Sequence, residues 1–293
     1  MKNCLVTKLK ASVNDSTLEK LGVFVVKTTS SQGSSRNFFM RAIADTVITS
    51  PDGGKMRGFG SSSSPQTDWV DSLTIPAISS MSDDMYGVLF EASHIYEIRS
   101  KYDILSLQMN HNGSNEDTDT SAFGVMPNLV EINADLKGEL KNLISLDNLS
   151  DILSNRTANN DSLVGNIADI RTLTNMKVLQ VGRNVLIKGK MCFAGGLTNL
   201  TDYQFRGTKI YGAVEDFVAA QRGAGRTTCD SMTINPRETS VTFNGTSIGA
   251  NTATTLSWTA STITYNGTTI SNSSVITPSE LEQMIATWVD PDA

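Results

Sequence analysis

A chain of 293 residues, with 24 Lys plus Arg against 30 Asp plus Glu and a net charge of −6, can hold one large domain or two ordinary ones and needs no disulfide staple. Ser, Thr and Asn supply 33, 32 and 22 residues, 87 together, while charged residues are 18% and aromatics 6%; with 39% hydrophobic residues the composition lies outside the disordered range and describes a folded, neutral-polar chain. No basic stripe is present, which argues against nucleic acid as a partner. The longest apolar stretches run four or five residues, such as Val23 to Val26, against the roughly 20 that cross a bilayer, so no membrane insertion is expected. The opening MKNCLVTKLKAS lacks a signal peptide's apolar run, and the chain as given is expected to be made and left in the cytoplasm.

Residues 4 to 13 alternate, with Leu5, Thr7, Leu9, Ala11 and Val13 on one face and Lys8 and Lys10 on the other, the mark of a half-buried strand. Asn14 to Ser16 turn the chain, and Leu21 to Thr28 forms a second strand with apolar side chains on both faces. TTSSQGSSRN (28 to 37) is a loop tip before a β-like run from Phe38 to Ile43, and PDGGK (51 to 55) is a turn. GSSSSPQ (60 to 66) is a linker or loop tip, and Trp69, Leu73 and Ile75 return to the core. The pattern predicts a small β module over residues 1–85, a meander of short strands.

From residue 86 the chain repeats. Leu173, Met176, Leu179, Val181 and Asn184 map onto Leu197, Leu200, Tyr203, Phe205 and Thr208 at a constant offset of 24. After a one-residue slip, Ile187, Gly189 and Met191 map onto Ile210, Gly212 and Val214 at an offset of 23. Upstream, Leu129, Ile132, Ala134, Leu136, Gly138 and Leu140 follow the same spacing, as do Leu149, Ile152, Leu163, Gly165 and Ile167 around an insertion. Ile104, Leu107 and Met109 provide the first strand. These units, reading L-x-x-L-x-L-x-x-N-x-L-x-G-x-I with L-T-N-L in the return segment, resemble the leucine-rich repeat family. The resemblance implies a solenoid over residues 86–225: the L-x-L pair turns two apolar residues inward, the asparagine bonds backbone groups in the turn, and the glycine lets the chain double back.

Residues 226–293 read as degenerate β repeats and a cap. VTFNGTSI (241 to 248) and ITYNGTTI (263 to 270) repeat at an offset of 22, either continuing the stack or forming a separate hairpin pair, with Met232 and Ile234 answered by Leu256 and Trp258. Thr277-Pro278-Ser279-Glu280 combines an N-cap, a proline at the first helical position and a capping-box glutamate. Leu281, Met284, Ile285 and Trp288 then give one apolar face, which predicts a helix that seals the stack. The expected fold class is mainly β with short helices.

Few residues offer chemistry. The three cysteines, Cys4, Cys192 and Cys229, are widely separated and read as buried apolar residues rather than as a disulfide or zinc set. His94 reads as a packed histidine, and no hydrolase, metalloprotease or phosphate-loop motif occurs. NHNGSNEDTD (110 to 119) alternates oxygen ligands around His111, but its glycine is misplaced for an EF-hand loop and no bidentate glutamate follows, so it reads as a solvated polar loop. No catalytic residue, metal or cofactor is assigned, and an enzyme is not expected.

The family resemblance instead points to a binding surface. Gln108, Asn133, Gln180 and Gln204 take the middle position of the inner strands, flanked by Arg183 and Arg206, an array suited to hydrogen bonding along a protein edge or polar polymer. The N-terminal MKNCLVTKLKASV resembles the openings of virion and prophage-encoded proteins of gut-bacterial phages, including crAss-like ones. That resemblance implies a virion component, a head fibre, decoration or tail adhesin anchored by residues 1–85. Its partners would be capsid or tail subunits, further copies of the chain in an oligomer, and a host-surface protein or glycan. The alternative is a bacterial surface or secreted leucine-rich repeat protein.

Overall fold

The computed structural model describes residues 4–7, 24–28, 36–59, 68–81, 84–91, 94–98, 104–109, 118–154 and 159–291. The protein is mainly β with two short α-helices among the described residues, and it divides into two compact units, Met1–Gly138 and Glu139–Ala293.

The N-terminal unit contains β1 (Cys4–Thr7), β2 (Phe24–Thr28), β3 (Arg36–Ala42), β4 (Thr46–Thr49), β5 (Met56–Phe59), β6 (Ser72–Ile75), β7 (Tyr86–Phe90), β8 (Ile95–Ile98), β9 (Ile104–Met109), β10 (Thr118–Asp119), β11 (Glu131–Asn133) and β12 (Leu136–Glu139). One antiparallel sheet runs β1-β2-β8-β4-β6. In another, β3 is hydrogen-bonded to β7 on one side and β9 on the other, β5 pairs with β7, and β11 joins β9 in parallel. This is not the expected meander: β2 pairs with β8 and β3 with β9, with partners 62 to 74 residues apart in sequence (Ala42↔Ile104 to Phe24↔Ile98). The pairing also crosses the 85/86 position at which the sequence suggests a boundary, because the buried faces of β3 and β7 (Phe38, Met40, Val88, Phe90) complete each other. Phe90 and Tyr96 lie with ring centroids 4.3 Å apart, and the buried Tyr96 hydroxyl donates to the Lys55 carbonyl at 2.8 Å. The predicted strand over 4 to 13 is present as Cys4–Thr7, and its remainder lies outside the described residues.

The C-terminal unit contains β13 (Asp151–Leu153), β14 (Asn160–Asn166), β15 (Val178–Gln180), β16 (Asn184–Lys190), β17 (Asp202–Gln204), β18 (Lys209–Ala213), β19 (Cys229–Asn235), β20 (Ser240–Phe243), β21 (Thr246–Ser247), β22 (Thr254–Trp258), β23 (Thr262–Tyr265) and β24 (Thr268–Ser271), with helices α1 (Val214–Gly223) and α2 (Pro278–Ala286). β13, β15, β17 and β19 pair in parallel, with Ile152↔Leu179, Leu179↔Tyr203 and Tyr203↔Ile234 in register. β14, β16, β18 and β20 form a second parallel ladder. Each strand of this ladder that precedes a helix carries a glycine as its next-to-last residue (Gly165, Gly189, Gly212) and is followed by a helical turn: Ile167–Ile170 and Met191–Ala194 are 3-10, and the turn after β18 lengthens into α1.

The repeat residues named from the sequence carry the core. Leu129, Ile132, Leu136, Leu149, Ile152, Leu163, Leu173, Met176, Leu179, Ile187, Leu197, Leu200, Tyr203 and Ile210 are all buried. Asn184 is fully buried and its Nδ2 donates to the carbonyls of Ser154 (2.9 Å), Val181 (2.9 Å) and Gly182 (3.3 Å), closing the turn as the pattern implies. Asn175 and Asn199 of the two T-N-M/T-N-L segments each donate to a carbonyl one repeat earlier, Asp147 and Thr174, at 2.8 Å. Gly189 sits at φ +117°, and a Cβ there would collide with the Asn166 amide that caps the neighbouring turn.

Beyond β20 the described strands pair antiparallel. β19 and β22 pair antiparallel, so Met232 faces Leu256 while Cys229, not Ile234, faces Trp258. The two N-G sequences form hairpin turns, Asn244-Gly245 joining β20 to β21 and Asn266-Gly267 joining β23 to β24, with all four residues at positive φ. Both open readings hold in part: in VTFNGTSI β20 continues the second parallel ladder and then turns back as a hairpin, whereas ITYNGTTI pairs only antiparallel.

α2 begins where the sequence predicts: Thr277 caps it, and both halves of the capping box with Glu280 are made. Its Leu281 is buried; Trp288 beyond its end meets Phe193 edge-on (centroids 6.3 Å) and donates Nε1–H to the Tyr211 hydroxyl at 2.9 Å. Arg171 grips Glu282 with two bonds (2.7 and 3.1 Å), and Lys188 pairs with Asp290. The Arg171 guanidinium holds the Glu282 carboxyl below its ordinary range, and the Thr277 backbone N–H does the same for Glu280. Both groups titrate lower folded than unfolded, so their contribution is complete above the ordinary glutamate value of about 4.3 and is lost as pH falls below it. Acidification from pH 7 to 2 is expected to loosen the attachment of α2, read as a shift of the Trp288 indole N–H resonance; a resonance unshifted throughout that titration would contradict this.

Candidate functional site

The L-x-L strands alternate, so each buries its central apolar residue and turns its first and third residues to the other face. On β15, β17 and β19 the third residues are Gln180, Gln204 and Asn235, which are direct partners in the ladder. β13 places Leu153 opposite Gln180, so the amide row begins at β15. The row of first residues, Asp151, Val178, Asp202 and Thr233, runs beside it.

The central group is Asp202. Its Oδ2 accepts from Gln180 Nε2 at 2.8 Å and from Gln204 Nε2 at 2.9 Å, so one carboxylate orients two amides, one on the neighbouring strand and one two residues along its own. Its Oδ1 is buried without a hydrogen-bond partner among the described residues, as is Asn235 Oδ1. Each glutamine directs one N–H to Asp202, which fixes the orientation of both amides.

Arg183 and Arg206 follow the strands. Arg183 takes a left-handed conformation (φ 63°) and its backbone N–H donates to the Arg206 carbonyl at 2.6 Å, while the Gly207 N–H donates to Arg237 at 2.9 Å. Three arginines from successive repeats are thereby set side by side at one end of the amide row. Arg183 and Arg206 are half-buried, and their Nε atoms have no partner among the described residues; Arg237 is exposed. The strand face therefore combines a carboxylate with oriented amides, and the backbone of three arginines follows at its end, a chemistry suited to non-covalent contact.

Of the six residues read from the sequence, Gln180, Gln204, Arg183 and Arg206 come together here. Gln108 and Asn133 are direct partners on β9 and β11 of the N-terminal unit, both half-buried. There the neighbouring row carries an ion pair, Arg41 to Glu131 at 3.0 Å, with the buried Ser106 hydroxyl donating to the same Glu131 oxygen at 3.1 Å. Sequence reasoning missed Asp202 and Asn235. Asp202 lies two residues before Gln204, on the same strand face, and that spacing was the signal available.

The other candidates resolve simply. His94 Nδ1 lies 3.3 Å from Asp52 Oδ1, and the imidazole packs over Gly54. Residues 110–117 lie outside the described residues, and Asp119 accepts from the Ser121 N–H at 2.9 Å to start a 3-10 turn. Among the described residues no group of three His, Cys, Asp or Glu side chains is placed to hold a metal ion. Cys192 and Cys229 are buried free thiols, and the Cys4 side chain lies outside the described residues. Burial pushes the Cys192 thiol up to about 12. Iodoacetamide at pH 8 is therefore expected to leave Cys192 unmodified in the folded protein and to alkylate it in urea; mass-spectrometric detection of native alkylation at Cys192 would contradict the packing.

No protein-family model matches the chain, and no curated protein matches it in sequence.

Proposed function

We propose that the chain is a non-enzymatic structural and binding protein of a phage virion, a head fibre, decoration or tail adhesin. Its N-terminal module anchors it to capsid or tail subunits, and its repeats, wound as a leucine-rich-repeat-like solenoid, present the polar face outward. The observation that carries this reading is the parallel register of β13, β15, β17 and β19, which sets equivalent side chains in rows about 4.8 Å apart. A row of that kind matches an extended partner, and its oriented amides and arginines provide acceptors and donors along it. The N-terminal resemblance to gut-phage virion proteins supplies the setting.

Asp202→Ala frees the Gln180 and Gln204 amides and is expected to weaken binding of the purified full-length protein to intact host bacteria about tenfold, equivalent to about 1.4 kcal/mol. The melting temperature should change little, because removing a half-buried carboxylate whose Oδ1 has no hydrogen-bond partner among the described residues offsets the loss of its two amide bonds. Unchanged cell binding by this variant would sink the assignment of this face.

A further inference from the structure

We propose that the paired N-G hairpins of the C-terminal unit form a second binding site, a pocket for one neutral sugar unit. The twin sequences VTFNGTSI and ITYNGTTI bring equivalent residues to one place: Phe243 and Tyr265, 22 positions apart, lie with ring centroids 5.5 Å apart and an interplanar angle of 49°. Above them opens a cavity of about 260 Å³ lined by Phe243, Tyr265 and Ile248 together with Asn244, Asn251 and Asn266. Thr246 and Thr268 complete the lining. That volume lies below the ~300–1,000 Å³ of pockets that hold drug-sized ligands, which suits a single ring rather than a chain.

The lining selects the ligand class. The two aromatic residues are 5% and 3% exposed, so they form a floor, while the three asparagines and two threonines stand at exposed positions around the rim. Burial raises the Tyr265 hydroxyl, with the Asn251 side chain beside it pulling the other way. Each side-chain amide carries a donor and an acceptor side by side, the pattern that vicinal sugar hydroxyls complement. The rings, packed on each other, leave only a narrow apolar contact for the C–H groups of one sugar, and the convergent polar groups of the rim fix its orientation. None of the lining residues is charged, so an anionic sugar would enter without a counter-charge.

The rim is held rigidly. Asn244 and Asn266 adopt φ 47° and 46°, the Asn244 N–H donates to Glu215 Oε1 at 2.6 Å, and Asn266 Oδ1 accepts from the Thr254 hydroxyl at 3.2 Å. A left-handed asparagine at each turn meets the backbone requirement that glycine would meet with less strain, so the side chain is dispensable for the turn itself.

The test uses the purified full-length protein alone and is independent of the virion reading. Saturation-transfer difference NMR is recorded with the methyl glycosides of glucose, galactose and mannose, with N-acetylglucosamine, and with N-acetylneuraminic acid. At least one neutral probe is expected to bind with a Kd of order 1 mM, and the double variant Asn244→Gly, Asn266→Gly should lose at least about tenfold while keeping its melting temperature. Asn251→Ala, outside both turns, should weaken the same probe. The proposal is overturned if no neutral probe gives a signal at about 20 mM, if the signal survives the glycine variant, or if only the anionic sugar binds.

Discussion

Replacing Arg222 with alanine is expected to destabilise the C-terminal unit by about 3–4 kcal/mol, a drop of roughly 6–16 °C in its melting transition. Arg222 lies in the last turn of α1, is 5% exposed, and addresses four acceptors at once. Its Nε and Nη2 donate to the Thr259 carbonyl at 3.0 and 2.7 Å, and Nη2 also reaches the Thr262 carbonyl at 3.1 Å. Nη1 reaches the Ser274 carbonyl and Asn272 Oδ1, both at 3.2 Å. Burial draws its pKa below the ordinary arginine value, yet arginine starts so far above neutrality that the cation persists at pH 7. Truncation leaves the Thr259 and Ser274 carbonyls without their side-chain donor and frees the segment that leads into α2, which is otherwise clipped to α1 by the Ile276 N–H on the Ala219 carbonyl at 3.0 Å. Lysine keeps the charge but not the planar fork, so Arg222→Lys should recover less than half of the loss. Thermal unfolding followed through Trp258 and Trp288 reads the effect, and an alanine variant within about 1 °C of wild type would show that the guanidinium contributes nothing net.

Asn184→Ala is expected to cost about 2–4 kcal/mol, because one buried side-chain amide serves the carbonyls of Ser154 and Gly182 and shares that of Val181 with its own backbone N–H. The next repeat suggests the graded test. There Thr208 holds the equivalent place, donating to the Phe205 carbonyl at 2.6 Å and accepting from the Ile210 N–H at 3.3 Å. Asn184→Thr should therefore recover part of the stability, whereas Asn184→Asp replaces the donor with a buried negative charge facing carbonyl oxygens and should be the worst of the three. Urea midpoints in the order wild type, Thr, Ala, Asp are predicted; an Asp variant as stable as wild type would contradict the role given to the amide.

These two residues mark the limits of what the sequence reveals. Asn184 was legible because its role is local: the repeat pattern places it, and its partners lie in the same turn and in one earlier repeat. The buried L-x-L residues and the capping box at Thr277 were legible for the same reason. Arg222 was not, since the acceptors that define it lie 37 to 52 residues away in loops with no periodic mark. α1 itself was missed, although Val214, Phe217, Val218 and Gln221 share one helical face, because Val214 already satisfied the repeat alignment at an offset of 23. That alignment also equates Gly189 with Gly212, whereas in the second ladder Gly189 pairs with Ile210: equivalence in sequence does not fix which residues sit side by side on tilted strands. On the candidate face the positions of Gln180 and Gln204 could be read, but not that Asp202 turns their N–H groups inward, since rotamers across strands follow from partners rather than period. The β3 to β9 pairing in the N-terminal unit is non-local in the same sense and invisible to any window on the sequence.

The central claim, that this chain is built into a virion to present a binding face, is tested most directly by density-gradient purification of particles from a culture producing the phage, followed by quantitative mass spectrometry across the gradient. The chain is expected in the particle peak, at a fixed ratio to the major capsid protein that persists after high-salt washing. Recovery of the chain only in the soluble or cell-envelope fractions, with none in the particle peak, would contradict it.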